Sequence, residues 1–132
     1  MKSLDTNLLL RLVLSDVPAQ ARAVEKLLQQ PGQSYAVADM VFAEMVWVLQ
    51  GAPYQFTREQ IASNVTELAS MSQIKCNRPL LEHVLSCYTA HPELSFVDVF
   101  LCLNAQSQGA TPLLTYDKRL AAALPEFAER VT

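Results

Sequence analysis

Basic residues are in short supply. Ten lysines and arginines face thirteen aspartates and glutamates, for a formal net charge of −3. That excludes a general electrostatic footprint for nucleic acid, so any contact with RNA or DNA must run through a local basic rim or a bound cation. Cysteine is sparse too. Cys76, Cys87 and Cys102 are odd in number and show no C-x-x-C spacing. This argues against zinc ligation and disulfides and reads them as small reduced core residues of a cytosolic protein. No run approaches the ~18 apolar residues of a spanning helix. Asp5 follows Lys2 closely and Arg11 breaks the next apolar run, so the start does not read as a secretory leader. There is no repeat and no low-complexity tract. His83 and His91 lie outside any H-E-x-x-H or nucleophile context and read as surface or structural residues.

What is there is apolar. Hydrophobic residues make up 51% of the 132 and charged residues 17%, the composition of one well-packed domain over residues 1–132. Short strands are expected at 2–4, 34–38, 74–76 and 112–115, with a last one including Val131. Helices are expected between them. The first begins at Asn7. The second spans 19–30 with Ala23, Val24, Leu27 and Leu28 as its stripe. The third is capped by Asp39 and runs to Gln50. The fourth opens on the capping box Thr57-Arg58-Glu59-Gln60 and buries Ile61, Val65 and Leu68. Others start at Pro79, Ser95 and Lys118, and Gly109 and Pro125 close the last two. The alternation predicts an α/β fold with a mostly parallel sheet of four to five short strands flanked by helices. Ligands of such sheets bind beyond the carboxyl ends of the strands.

Four carboxylates stand out. Asp5 ends the first strand, and Asp117 closely follows the strand in PLLTYDKRL. Glu44 lies in DMVFAEMVWVLQ, apolar nearly all round, where a carboxylate should be partly desolvated. Asp98 sits among Phe96, Val97, Val99, Phe100 and Leu101. Each has a plainer reading. Asp5 and Asp117 can cap the helices that follow them, Ser95-x-x-Asp98 fits a capping box, and Glu44 can reach out at the domain edge. Taken together, they can converge at one end of a parallel sheet. Clustered carboxylates repel unless some protonate or a cation binds, and hard oxygen donors suit Mg²⁺ or Mn²⁺ better than zinc.

The motifs SLDTNLLLR, AEMVWVL, FVDVFL and LLTYDKRL, in this order and spacing, resemble PIN-domain ribonucleases, specifically the VapC-type toxins of type II toxin–antitoxin pairs. The resemblance covers essentially the whole chain. It implies a metal-dependent endoribonuclease in which Asp5, Glu44, Asp98 and Asp117 hold one or two Mg²⁺ or Mn²⁺ ions. Asp5 and Asp98 would be direct ligands, and Thr6, Asn7 and Thr115 would support them. Ser95 stands near where some relatives carry a further acid, which makes the pocket less negative. Arg11, Lys118 and Arg119 are candidate phosphate contacts. Tyr54 and Phe56 can stack bases, though loop packing is the simpler use. The implied partners are a tRNA, rRNA or mRNA substrate, a second copy in a homodimer, and a VapB-like antitoxin. The antitoxin's tail would lie between the Leu9–Leu12 and Trp47 regions and cover the acidic pocket.

Two rivals remain at this point. A haloacid dehalogenase-like phosphatase also places an aspartate after its first strand, but needs a second acid where Asn7 stands. A catalytically weak PIN-fold interaction module is the other.

Overall fold

The computed structural model describes residues 1–132. The chain divides into two compact units, Met1–Arg78 and Pro79–Thr132. All five strands are two or three residues long and every pairing is parallel.

In the first unit, β1 (Lys2–Ser3), β2 (Tyr35–Ala36) and β3 (Ile74–Lys75) form a sheet in that order. Parallel neighbours need long crossovers, and each is supplied here by two helices. The first crossover holds α1 (Thr6–Leu14) and α2 (Pro18–Gln29), the second α3 (Asp39–Gln50) and α4 (Arg58–Ser70). The core is built from Leu9 and Leu10 of α1, Phe42, Met45 and Leu49 of α3, and Ile61 and Val65 of α4. Tyr35 is buried with them, and its hydroxyl donates to the Leu27 carbonyl at 2.9 Å, which satisfies the one polar atom the ring brings inside.

Three local expectations change. The buried stripe of α2 is Ala21, Val24 and Leu28; Ala23 is exposed and Leu27 half-buried, because the helix is rotated towards the earlier alanine. Asp39 does not cap α3. Ala38 holds the cap position without a side-chain bond, and Asp39 stands in the first turn, where its charge favours the positive helix end. Nor is α3 enclosed all round. Phe42, Met45, Val46 and Leu49 face inward, while Met40, Glu44 and Trp47 are exposed.

The expected capping box of α4 is present. Thr57 Oγ1 accepts from the Gln60 N–H at 3.1 Å, and Gln60 Oε1 accepts from the Thr57 N–H at 2.8 Å. Thr57→Ala is therefore expected to lower stability by about 1 kcal/mol. A urea titration should show the midpoint falling with an unchanged slope.

The second unit holds most of α5 (Arg78–Ala90), then α6 (Phe96–Ser107), β4 (Leu113–Thr115), α7 (Lys118–Ala123) and β5 (Ala128–Arg130). Strands β4 and β5 form a two-stranded sheet. Val131 lies just beyond β5, yet its N–H donates to the Thr115 carbonyl at 2.8 Å and extends the ladder by one bond. Tyr88 and Phe96 meet edge to face in the core, with centroids 5.8 Å apart. Helix α6 stops where Gly109 takes φ 71°. The Ala110 N–H then donates to Ala105 O at 2.8 Å and the Gly109 N–H to Gln106 O at 3.0 Å, closing the helix in a Schellman motif.

No helix is long and apolar enough to cross a membrane. All three cysteines are free, Cys102 buried and Cys76 and Cys87 half-buried. Burial raises all three thiols; Cys76 is raised further by Asp39, against the opposing Arg78.

Candidate functional site

The three strands of the first unit end on a common edge. The Leu4 N–H donates to Ala36 O at 2.9 Å and the Val37 N–H to Lys75 O at 3.0 Å, so the chain leaves all three strands at one level. Beyond β1 it enters Asp5, beyond β2 Asp39, and beyond β3 Cys76 to Arg78. Asp5 caps α1: its Oδ1 accepts from the Thr6 N–H at 2.7 Å. The plainer reading of Asp5 is thus realised, and its carboxylate remains exposed. Beside it, Thr6 is only 5% exposed, and its Oγ1 is buried without a hydrogen-bond partner. Buried hydroxyls are normally satisfied, so this orphan calls for a ligand or a water. Asn7 is exposed in the first turn of α1.

Glu44 departs from expectation. It lies in the second turn of α3, exposed between Met40 and Trp47. Its neighbours are apolar, as the sequence says, but Met40 and Trp47 face water with it and Val41 and Val48 are only half-buried, so they do not enclose it.

The second unit carries the other two acids. Asp98 is half-buried in the first turn of α6; its N–H donates to Ser95 Oγ at 3.1 Å. Its charge adds to the burial that raises Cys102. Asp117 is held on both sides. Its N–H donates to Thr115 Oγ1 at 3.0 Å, and its Oδ1 accepts from the N–H groups of Arg119 at 2.9 Å and Leu120 at 3.1 Å. Thr115 is therefore a brace for the Asp117 turn.

No group of three or more His, Cys, Asp or Glu side chains stands together to hold a metal ion. Magnesium seldom requires such a cage; it takes one or two carboxylates and keeps several waters. The donors are carboxylates and hydroxyls, with the Thr6 oxygen unclaimed. Taken within the first unit, the Asp5 carboxylate and the adjacent Thr6 hydroxyl are oxygen donors of the kind a hard divalent cation takes.

The candidate phosphate contacts differ. Arg11 is tied to Asp16, Nη1 to Oδ1 at 2.9 Å, at the C-terminal end of α1. Lys118 and Arg119 are exposed at the start of α7, and Arg119 also acts on Glu93. Tyr54 and Phe56 are half-buried, in keeping with loop packing. Leu9 and Leu10 are core residues and cannot floor an open groove. Two grooves run alongside α1, one of about 610 Å³ lined by Leu8, Arg11, Ala23 and Leu27, the other of about 370 Å³ lined by Leu12, Val13, Leu28 and Leu68, among others. His83 packs edge-on against Phe127, and His91 Nδ1 lies 3.4 Å from Glu93 Oε1.

Two residues escaped the sequence reading. Asp39 follows β2 as Asp5 follows β1, a repeated strand-then-acid pattern that was available but was absorbed by a capping role. Tyr116, between two noted residues, is 81% exposed.

A family model described as PIN domain matches residues 3–123, a span that includes Asp5, Glu44, Asp98 and Asp117. PIN domains are generally nucleases, typically metal-dependent. No curated protein matches the chain.

Proposed function

The chain belongs to the PIN-domain family, and from that premise we propose that it is a Mg²⁺- or Mn²⁺-dependent endoribonuclease, the toxin of a VapC-type toxin–antitoxin pair. The observation that carries this is the family match itself, which runs through all four acidic motifs. The oxygen-only donor set and the unclaimed Thr6 hydroxyl support it.

Asp5 and Asp98 are the proposed direct ligands, with Glu44 and Asp117 binding through water or completing a second site. One or two such ions, when bound, lower the pKa of a water and offset charge on the pentacovalent phosphorus. The chain's own residues do the rest. The cap on α1 holds Asp5 in one orientation, and the Arg119 and Leu120 N–H groups do the same for the Asp117 carboxylate. With one ion bound, a carboxylate left without a metal contact, Glu44 or Asp117, would take the proton from the attacking water. Lys118 and Arg119 offer positive charge to the RNA backbone. In this reading residues 1–132 form one PIN domain, working in the cytoplasm as a homodimer. A VapB-like antitoxin covers the acidic residues with a basic tail.

Structured total RNA incubated with the antitoxin-free protein tests this. Discrete cuts in Mg²⁺ or Mn²⁺ that disappear in EDTA are expected. Equal cutting in EDTA would overturn the metal mechanism. A folded protein that neither cuts RNA nor binds Mn²⁺ would leave the interaction module as the better description.

A further inference from the structure

The turn that holds Asp117 also presents a ring to solvent. We propose that Tyr116 is a platform on which an unpaired base of the RNA stacks, a role that rests on the ribonuclease reading above. At 81% exposure it is the most exposed aromatic side chain of the chain. Its ring has no aromatic partner and its hydroxyl no hydrogen bond. Packing within the unit therefore does not explain it.

The mounting is rigid. On one side the Thr115 carbonyl accepts from the Val131 N–H at 2.8 Å, and Thr115 Oγ1 accepts from the Asp117 N–H at 3.0 Å. On the other, Asp117 Oδ1 accepts from the N–H groups of Arg119 and Leu120. Tyrosine has few rotatable bonds, so a ring on a fixed backbone offers contact area at little entropic cost.

The surroundings suit a nucleotide. Lys118 and Arg119 follow within three residues, and both are exposed. An exposed aromatic ring with cations close by in the chain is what single-strand binding uses: bases stack and phosphates pair. In a duplex the base faces are already stacked on one another, so the ring has nothing to cover.

The test measures binding in EDTA, where the RNA stays intact. Fluorescence anisotropy would follow a short labelled single-stranded RNA of mixed sequence, and a duplex of the same length, against the full chain. Tyr116→Ala is expected to weaken single-strand binding by about tenfold. Tyr116→Phe, which keeps the ring, should match the wild type to within about twofold. Duplex binding should be the same for all three. Stacking also has an optical signature. Tyr116→Trp in a Trp47→Phe background should lose indole emission when the single strand is added and keep it with the duplex.

Wild type and Tyr116→Ala binding the single strand equally would overturn the stacking role and leave the nuclease untouched. Absence of RNA binding by the wild type would overturn the stacking role, whereas the nuclease reading is decided by cleavage with metal present. Weakened binding by Tyr116→Ala in a protein that cuts no RNA with metal present would support the stacking role and reject the nuclease.

Discussion

Asp98→Asn and Asp5→Asn should each reduce RNA cleavage by a factor of roughly 10²–10³ while leaving the fold intact, a loss comparable to removing one preorganised electrostatic group from an active site. Both substitutions remove a negative charge and keep the shape. At position 5 the amide oxygen of asparagine still accepts from the Thr6 N–H, and asparagine is as good a helix cap as aspartate. At position 98 the bond to Ser95 Oγ comes from the main-chain N–H, which the change does not touch. Melting curves should therefore superimpose within a few degrees. Cleavage would be followed on the RNA cut by the wild type, at a fixed Mg²⁺ concentration. Variants that melt normally and cut at the wild-type rate would reduce Asp5 to a helix cap and Asp98 to a first-turn acid. Alanine would be a poorer probe at position 5, because it removes cap and charge together.

The second large effect contrasts two aromatic residues on one helix. Phe42 is 1% exposed and Trp47 is 73% exposed. Phe42→Ala leaves a cavity in the core of the first unit and should cost about 3–5 kcal/mol. Trp47→Ala removes a side chain that solvent already surrounds and should stay within about 0.5 kcal/mol. Urea unfolding of the two variants gives both numbers. A substantial loss at Trp47 that deepens with protein concentration would reveal a self-associated α3 face and support the homodimer.

The two positions also show what the sequence could and could not convey. Helix α3 was legible as a helix, from its length, its acid near the start and the glycine after Gln50. Which of its apolar residues lie inside was not, because apolar residues occupy both faces and periodicity alone cannot rank them. Glu44 inherited that ambiguity, and its exposure follows from facing outward with Met40 and Trp47. Local signals did better where a backbone hydrogen bond enforces them. Thr57-x-x-Gln60 and Gly109 both sit where their chemistry demands. Asp39 was misplaced by a single residue, since a cap and a first-turn acid look alike in sequence. The strands were recognisable only from their boundaries; at two or three residues they are too short to alternate. The Thr6 hydroxyl could not have been singled out, because burial without a partner is a property of packing.

The bonds around Asp117 bear on timing. Two hydrogen bonds to its Oδ1 hold this side chain, and a third from its own main-chain N–H holds the turn, before any visitor arrives. The rotamer freedom that a loose aspartate would surrender on binding has already been given up when the chain folds. Capture at this position is then governed by diffusion and by the shedding of water, without a slow rearrangement of the protein. On the toxin reading proposed above, such a position would be ready as soon as it is uncovered, and restraint would fall to the antitoxin rather than to the protein's own shape.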